Sequence, residues 1–336
     1  MFIRRFYSDL ILFSLFFSIL FCFFCCIVDS LVSFWVFLEL CGLSIIPSFF
    51  CTRGSSIYGF YRSLLTYVIM SGLSSVFLVT GILFFDLYYF IFFGFLIKFG
   101  LFPFRLWVYR VFRESKWVFI FFLRGVLKFP ILFFCYLFQK FRLYLVYGDC
   151  ILTIFMCSLF FWFFSHDWQF IWCHMSLSSV STLLVACFCS SVELCFFIYF
   201  YYLIWSIFCI FYFYYVTENK RFRGKFWWFC FLLLVTPLSL PLFYKLAVCN
   251  AIFYSSLYVL FIWSIYSFSE QFFLYKLARK YFYSDVFNSW INLWCSLYKI
   301  LILHIRELFV QSFTKRNSLK KMLSLRLYDR IFLFVE

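Results

Sequence analysis

Charged residues are scarce in this sequence: Asp, Glu, Lys and Arg together make up 13% of its 336 residues. An ordinary soluble domain carries about 25% of these residues, so the shortage excludes that class. Hydrophobic residues make up 66% of the chain, and apolar runs long enough to cross a bilayer, roughly 18 residues or more, recur up to residue 268. We therefore predict an all-α, polytopic membrane protein with about ten or eleven transmembrane helices.

Histidine and glycine are also scarce, with 3 and 10 residues. No Gly-x-Gly-x-x-Gly occurs, which excludes the usual dinucleotide-binding turn. The sixteen cysteines lie almost entirely inside apolar runs, and none of their spacings matches a zinc site or an iron–sulfur cluster. Cys22, Cys25 and Cys26 have the spacing of half a metal site without a second half. We expect no metal, no redox cofactor and no disulfide, and cysteines that pack as small apolar side chains.

The net charge of +15 comes from Lys and Arg that lie mainly in short connections, such as 105–116 and 220–225, and in the C-terminal part. Loop cations set the topology of membrane proteins and contact anionic lipid head groups. We therefore expect membrane lipids, and not nucleic acid, as partners.

Aromatic residues are abundant, with 61 Phe and 25 Tyr. Leu and Ala would supply the same hydrophobicity, but Phe, Tyr, Cys, Trp and Leu share thymine-rich codons. This bias is typical of an organellar genome and points to synthesis inside a mitochondrion. The N-terminal region lacks the pattern of a cleavable signal or transit peptide, so its first apolar run is interpreted as the first span.

Hydropathy divides the chain into two parts. Residues 1–268 are predicted to form a transmembrane domain, and residues 269–336 a charged C-terminal segment. In that segment only 290–309 resembles a last span, and it has enough charge to lie at the membrane interface instead. The ten predicted spans of the first part are 10–28, 31–51, 63–85, 87–107, 117–137, 151–164, 171–190, 194–216, 226–250 and 251–268.

Four isolated charges interrupt the apolar runs: Glu39, Lys98, Lys128 and Lys245. A charge at the centre of a bilayer costs roughly 2.5–3.5 kcal/mol on insertion scales, so such residues usually mark ion or proton paths. A carboxyl group in apolar surroundings stays protonated but ionises beside a lysine, whereas a desolvated lysine becomes neutral. These four residues are therefore candidates for a buried proton relay.

Prolines interrupt two spans close to these lysines: Pro103 follows Lys98, and Pro237 and Pro241 precede Lys245. Proline frees a backbone carbonyl, which is tolerated in a membrane only where protein, water or an ion satisfies it. Two broken helices in corresponding positions of two halves are typical of a transporter site near the midplane. The alternative interpretation is a pair of kinked packing helices whose lysines reach towards the interface.

Five segments, in order, resemble mitochondrial NADH dehydrogenase subunit 2. Residues 35–47, with Glu39, resemble its second span, and residues 97–108 resemble its Lys-x-Gly-x-x-Pro-Phe-His-x-Trp motif. Lys128-Phe-Pro130 matches a helix that has a lysine before a proline, Ser178-Ser179-Val180 resembles a Ser-Ser-Ile segment, and 237–245 resembles a broken helix that ends in lysine. Order and spacing agree over about residues 10–268.

The resemblance implies an antiporter-like fold and a subunit of respiratory complex I, the proton-translocating NADH:ubiquinone oxidoreductase of the mitochondrial inner membrane. It further implies that Glu39 pairs with Lys98, that Lys128 connects the relay and that Lys245 is its distal lysine. The partners would be other membrane-arm subunits, protons and internal water. The related subunit 4 usually has glutamate at the position of Lys245, which favours subunit 2.

The chain departs from this family at several positions. Arg105 replaces the histidine after Pro-Phe, Thr182 replaces a histidine after Ser-Ser-Ile, residues 242–244 lack a Gly-Phe pair, and 269–336 match nothing in the family. Two alternatives therefore stay open. One is a purely structural membrane-arm subunit with a degenerate relay, and the other is a self-standing cation/proton antiporter.

The three histidines lie outside the predicted relay. His166 adjoins Asp167 at the end of a span and is interpreted as part of a solvated interfacial pair. His174 lies within a span among serines and is interpreted as a packing residue. His304 falls on a charged stretch that suits the membrane interface.

Overall fold

The computed structural model describes residues 2–51, 57–84, 88–137, 143–165, 167–218, 226–253 and 255–286. Every regular element in these residues is helical, and two short 3₁₀ segments, Ile46–Cys51 and Val126–Lys128, join α-helices. The α-helices are α1 (Phe2–Ile27), α2 (Leu31–Ser44), α3 (Ile57–Leu83), α4 (Tyr88–Phe99), α5 (Leu106–Glu114), α6 (Trp117–Arg124), α7 (Phe129–Leu137), α8 (Leu143–Phe164), α9 (Trp168–Cys189), α10 (Val192–Glu218), α11 (Phe226–Leu233), α12 (Leu240–Ile252) and α13 (Leu257–Val286).

Seven helices in the described residues are long and apolar enough to cross a membrane: α1, α2 with its 3₁₀ extension, α3, α8, α9, α10 and α13. They confirm the prediction of an all-α polytopic membrane protein. Three further predicted spans, 87–107, 117–137 and 226–250, are each divided into shorter helices. The sequence predicted two broken helices, and the structure adds a third, between α6 and α7.

Helix α9 lies at the centre of the bundle. It packs against α5, α7, α8, α10 and α12, and 94% of its apolar window is buried. Only 22% of the corresponding window is buried in α1 and in α3, where large apolar side chains such as Leu12, Phe16 and Leu65 are exposed. The periphery therefore suits lipid, whereas polar side chains on α9 are shielded from it.

The prediction that 105–116 is a basic loop is wrong, because this segment forms α5. Its apolar residues Val108, Val111 and Phe112 are buried against the bundle, while Arg110 and Arg113 are exposed. This spacing is that of an amphipathic helix. The segment predicted as a short span, 151–164, also belongs to a longer helix, since α8 begins at Leu143.

The described chain continues as a helix beyond the predicted domain boundary at residue 268, since α13 ends at Val286. Contacts divide the protein into two compact units, residues 1–281 and 282–336. The second unit is almost entirely outside the described residues, and so are the predicted last helix 290–309 and His304. His166 is also outside them.

Candidate functional site

The first broken helix unwinds directly after Lys98. Helix α4 ends at Phe99, and Gly100 has a φ of +67°, a conformation that glycine adopts without steric cost. A Cβ at this position would lie 2.2 Å from the Cγ2 of Val108. The chain then passes through a cis peptide before Pro103 and enters α5. Lys98 is thus placed in the last turn before the break, as the sequence predicted.

Two side chains satisfy carbonyls that this break frees. The Trp107 indole donates to the carbonyl of Ile97 at 3.0 Å, and Nη1 of Arg124 on α6 donates to the carbonyl of Phe99 at 2.8 Å. A cation at the C-terminal end of a helix also interacts favourably with the helix dipole. Arg124 therefore stabilises the end of α4.

The second broken helix lies between α11 and α12. The prolines predict the position of the break, because Pro241 lies in the first turn of α12, where its missing N–H is not needed. Between the helices, Leu238 has a φ of +66°, which is uncommon for a residue with a side chain. Lys245 follows the break by one turn of α12.

The second break is satisfied in a similar way. The Trp205 indole donates to the carbonyl of Leu232 at 2.8 Å. Gln271 on α13 accepts from the backbone N–H of Val235 at 2.9 Å and donates to the carbonyl of Leu233 at 3.5 Å. At both of these breaks, one indole and one long polar side chain from another helix therefore form hydrogen bonds with the backbone.

Glu39 and Lys98 form an ion pair in which Nζ and Oε1 are 2.7 Å apart. Glu39 lies on α2, and the exposed fractions of the two side chains are 18% and 6%. Nζ of Lys98 also donates to Oγ of Ser71 on α3, at 3.3 Å. The structure thus brings together the two residues that the family resemblance paired.

Lys128 lies at the third break, in the 3₁₀ turn between α6 and α7, and is 2% exposed. Its Nζ donates to Oγ of Ser179 on α9 at 2.5 Å and lies 3.4 Å from the centre of the Tyr202 ring on α10. An aromatic face attracts a cation. Within the described residues Lys128 forms no ion pair, unlike Lys98 and Lys245.

Lys245 pairs with a residue that the sequence analysis missed, Glu270 on α13. Its Nζ lies 3.0 Å from Oε1 of Glu270, with the two side chains 11% and 4% exposed, and donates to Oγ of Ser267 at 2.9 Å. Glu270 falls within residues 269–336, which were predicted to be a charged C-terminal segment. The signal that could have identified it is the apolar pattern that continues through Phe272, Phe273 and Leu274.

Helix α9 supplies a row of buried hydroxyl groups beside these lysines. Each donates to a main-chain carbonyl three or four residues earlier, which leaves oxygen lone pairs free to accept. A hydroxyl that both accepts and donates can pass on a proton. The residues are Ser176, Ser178, Ser179, Ser181 and Thr182.

Tyr266 lies between this row and the second ion pair. Its hydroxyl is close to Ser178 and to Glu270 but forms no hydrogen bond of normal geometry. In the described structure, hydrogen bonds therefore join each lysine to its own serine, and the three lysines form separate clusters. Proton transfer between the clusters would need water or side-chain movement.

Arg105 and His174 lie buried near α5 and α9. The guanidinium of Arg105 lies 4.0 Å from the centre of the Phe160 ring, and its Nη1 has no hydrogen-bond partner. Because arginine does not deprotonate, Arg105 is a fixed charge at the position where the sequence motif that it resembles has a histidine. His174 is hydrogen-bonded to the Tyr109 hydroxyl through Nδ1 at 2.9 Å, but its Nε2 has no partner among the described residues. Only one of its two ring nitrogens is therefore satisfied, whereas the interpretation as a packing histidine expects both to be.

Cysteines surround the site without forming a metal cluster in the part of the chain that the structure describes. The cysteines there are free thiols. Cys22 and Cys41, for example, approach each other with sulfur atoms 3.2 Å apart, too far for a disulfide bond.

The site is thus built from three lysines at three helix breaks. Lys128 is buried, and Lys98 and Lys245 are partly buried and paired with glutamate. No protein-family model matches the chain, and a search of curated proteins finds no match. The family resemblance therefore depends on the sequence motifs alone, and the function is inferred from the buried charges.

Proposed function

We propose that this chain is a proton-translocating membrane-arm subunit of respiratory complex I, of the subunit 2 type, in the mitochondrial inner membrane. The observation that supports the proposal best is the Glu39–Lys98 ion pair at an unwound helix in an apolar bundle. The motif order described for the sequence adds the choice of family.

A buried Lys–Glu pair is suited to proton transfer because its two charge states have the same net charge. When Nζ of Lys98 gives its proton to Oε1 of Glu39, an ion pair becomes a neutral pair and no isolated charge remains in the membrane. The proton can then leave through the carboxyl group. Lys245 and Glu270 have the same arrangement, at 3.0 Å.

Lys128 connects the two pairs in this proposal. Its Nζ contacts the central helix α9 by a hydrogen bond to Ser179. Helix α9 packs against both α7 and α12. A proton would enter at Glu39 and Lys98, pass to Lys128 and reach Lys245 through internal water and the hydroxyls of α9. The sequence predicts no redox centre in this chain, so in this proposal NADH oxidation by ubiquinone takes place in other subunits.

Replacement of a relay lysine tests the proposal. In proteoliposomes that contain the assembled complex, Lys98→Met or Lys245→Met should lower the number of protons pumped per NADH oxidised. Lys280→Met, at an exposed position on α13, is the matched control and should pump normally. Unchanged pumping by the Lys98 and Lys245 variants at normal assembly would refute the relay and favour the structural role.

A native gel separates the proposal from a self-standing antiporter. A membrane-arm subunit should co-migrate with NADH-oxidising activity, because it is held in a large assembly. A chain that migrates alone or as a small oligomer and exchanges cations for protons in liposomes would contradict the assignment to complex I.

A further inference from the structure

A small, partly open space lies next to the first ion pair, between α2, α4, α5 and α6. Its volume is enough for about one water molecule. Each polar side chain on its wall is a donor: the ammonium of Lys98, the guanidinium of Arg124 and the indole of Trp107. The remaining lining residues are apolar: Leu38, Phe99, Leu123 and Leu127.

Arg124 is an unusual residue for such a wall. It is 3% exposed, and only Nη1 is engaged, by the carbonyl of Phe99. Its Nε and Nη2 are buried without a hydrogen-bond partner. A guanidinium stays charged and has donors but no acceptors, so the N–H groups of these two nitrogens require an acceptor.

The surrounding charges do not supply that acceptor. The two carboxylates that form ion pairs with relay-candidate lysines are the partly buried Glu39 and the buried Glu270, and each already binds its lysine. Arg105 and Arg124 are both buried, stay charged and form no ion pair in the described part of the chain. The interior therefore contains an excess of positive charge, which is costly at low dielectric constant.

We propose that this cavity binds a monovalent inorganic anion of halide size, chloride under cellular conditions. The anion accepts from Nε and Nη2 of Arg124 and from the third N–H of Lys98, and its charge offsets that of Arg124. A water molecule would satisfy the donors but would leave the charge uncompensated. A chloride ion is somewhat larger than a water molecule, so the apolar wall must move outward slightly to admit it, whereas phosphate and sulfate are far too large for this space.

Anion binding can be tested on the full-length protein without reference to proton pumping. Its thermal unfolding temperature is compared in sodium chloride and in sodium gluconate at equal ionic strength, since a ligand that binds only the folded state raises this temperature. We expect chloride to raise it by several degrees in the wild type and in Arg110→Gln, which removes an exposed arginine of α5. Arg124→Gln should lose the chloride effect.

A second variant is needed because Arg124 also stabilises the end of α4. Leu127→Phe narrows the cavity and leaves the guanidinium in place, so it should also lose the chloride effect. Bromide soaked into crystals of the protein should give an anomalous peak between Lys98 and Arg124 in the wild type but not in Leu127→Phe. A cavity that holds only water, or a chloride effect that is equal in all variants, would overturn the proposal and leave the proton relay untouched.

Discussion

Glu270 and Gln271 are adjacent on α13, and together they serve the second broken helix. Oε1 of Glu270 lies 3.0 Å from Nζ of Lys245, while the amide of Gln271 satisfies Val235 and Leu233 at the break. Nε2 of Gln271 also lies 3.2 Å from Oε1 of Glu270. The charge on Lys245 and the backbone conformation in front of it therefore depend on the same two residues.

Removing the charge of Glu270 should destabilise the protein strongly. Glu270→Gln leaves the ammonium of Lys245 buried without its counter-ion, and breaking a buried pair in this way costs about 3–5 kcal/mol. Denaturant or thermal unfolding in detergent measures this loss. Glu193→Gln, an exposed position at the start of α10, should change stability little.

The double variant of this pair should recover part of that loss. When Lys245→Met is combined with Glu270→Gln, no charge is left unpaired, so the double variant should be more stable than the sum of the two single changes predicts. Strictly additive free energies of unfolding would show that the two side chains do not interact.

A second prediction concerns Gly100, the glycine with a positive φ at the first break. Gly100→Ala places a Cβ 2.2 Å from Val108 Cγ2 at a φ of +67°, so the break cannot keep its conformation and unfolding should become easier by at least about 1–3 kcal/mol. Gly72→Ala on α3 has no neighbouring atom within 4 Å. It should be neutral or slightly stabilising because alanine favours a helix.

A third prediction concerns Ser179, whose hydroxyl accepts a hydrogen bond from Lys128. Ser179→Ala removes the acceptor of a fully buried ammonium, which should lower the protons pumped per NADH and destabilise the protein by about 1–3 kcal/mol. Ser75→Ala is the control, since Ser75 donates to Gly72 of its own helix at an exposed site. Pumping in proteoliposomes and thermal unfolding measure the two effects, and a Ser179 variant that pumps as the control does would contradict a role for this contact.

The buried histidine makes a fourth prediction. Tyr109→Phe removes the hydroxyl that binds Nδ1 of His174, and both ring nitrogens would then lack a partner among the residues that the structure describes. We expect a loss of about 1–3 kcal/mol in thermal unfolding. Tyr144→Phe, at an 87% exposed position, should have no effect; equal stability of the two variants would mean that water replaces the lost hydroxyl.

Long apolar runs and prolines allowed most of the fold to be predicted. The runs give the spans because a bilayer requires about 20 apolar residues per helix, and Pro241 predicts a helix start because it lacks an N–H. The break at Lys128 was not predicted, although Pro130, which has no N–H to bond to the carbonyl of Val126, is a local signal for it. Helix α5 was predicted to be a loop because of its charged residues, although its apolar residues have the spacing of an amphipathic helix.

The ion pairs were less accessible from the sequence. Glu39 and Lys98 are 59 residues apart, and no local pattern relates them, so the family resemblance alone suggested the pairing. Glu270 was missed because the apolar run was taken to end before it. A charge within a helix that continues on both sides, as Glu270 does in α13, has to be judged by the full length of the helix.

The two side chains that close the broken helices have a consequence for biogenesis. Arg124 follows Phe99 by 25 residues, and Gln271 follows Val235 by 36 residues. At about 5–20 residues per second, a ribosome needs roughly one to seven seconds to make each connecting stretch. During that interval the nascent unwound segments would have to remain hydrated in the insertion machinery, because lipid cannot form hydrogen bonds with their unpaired carbonyl and amide groups.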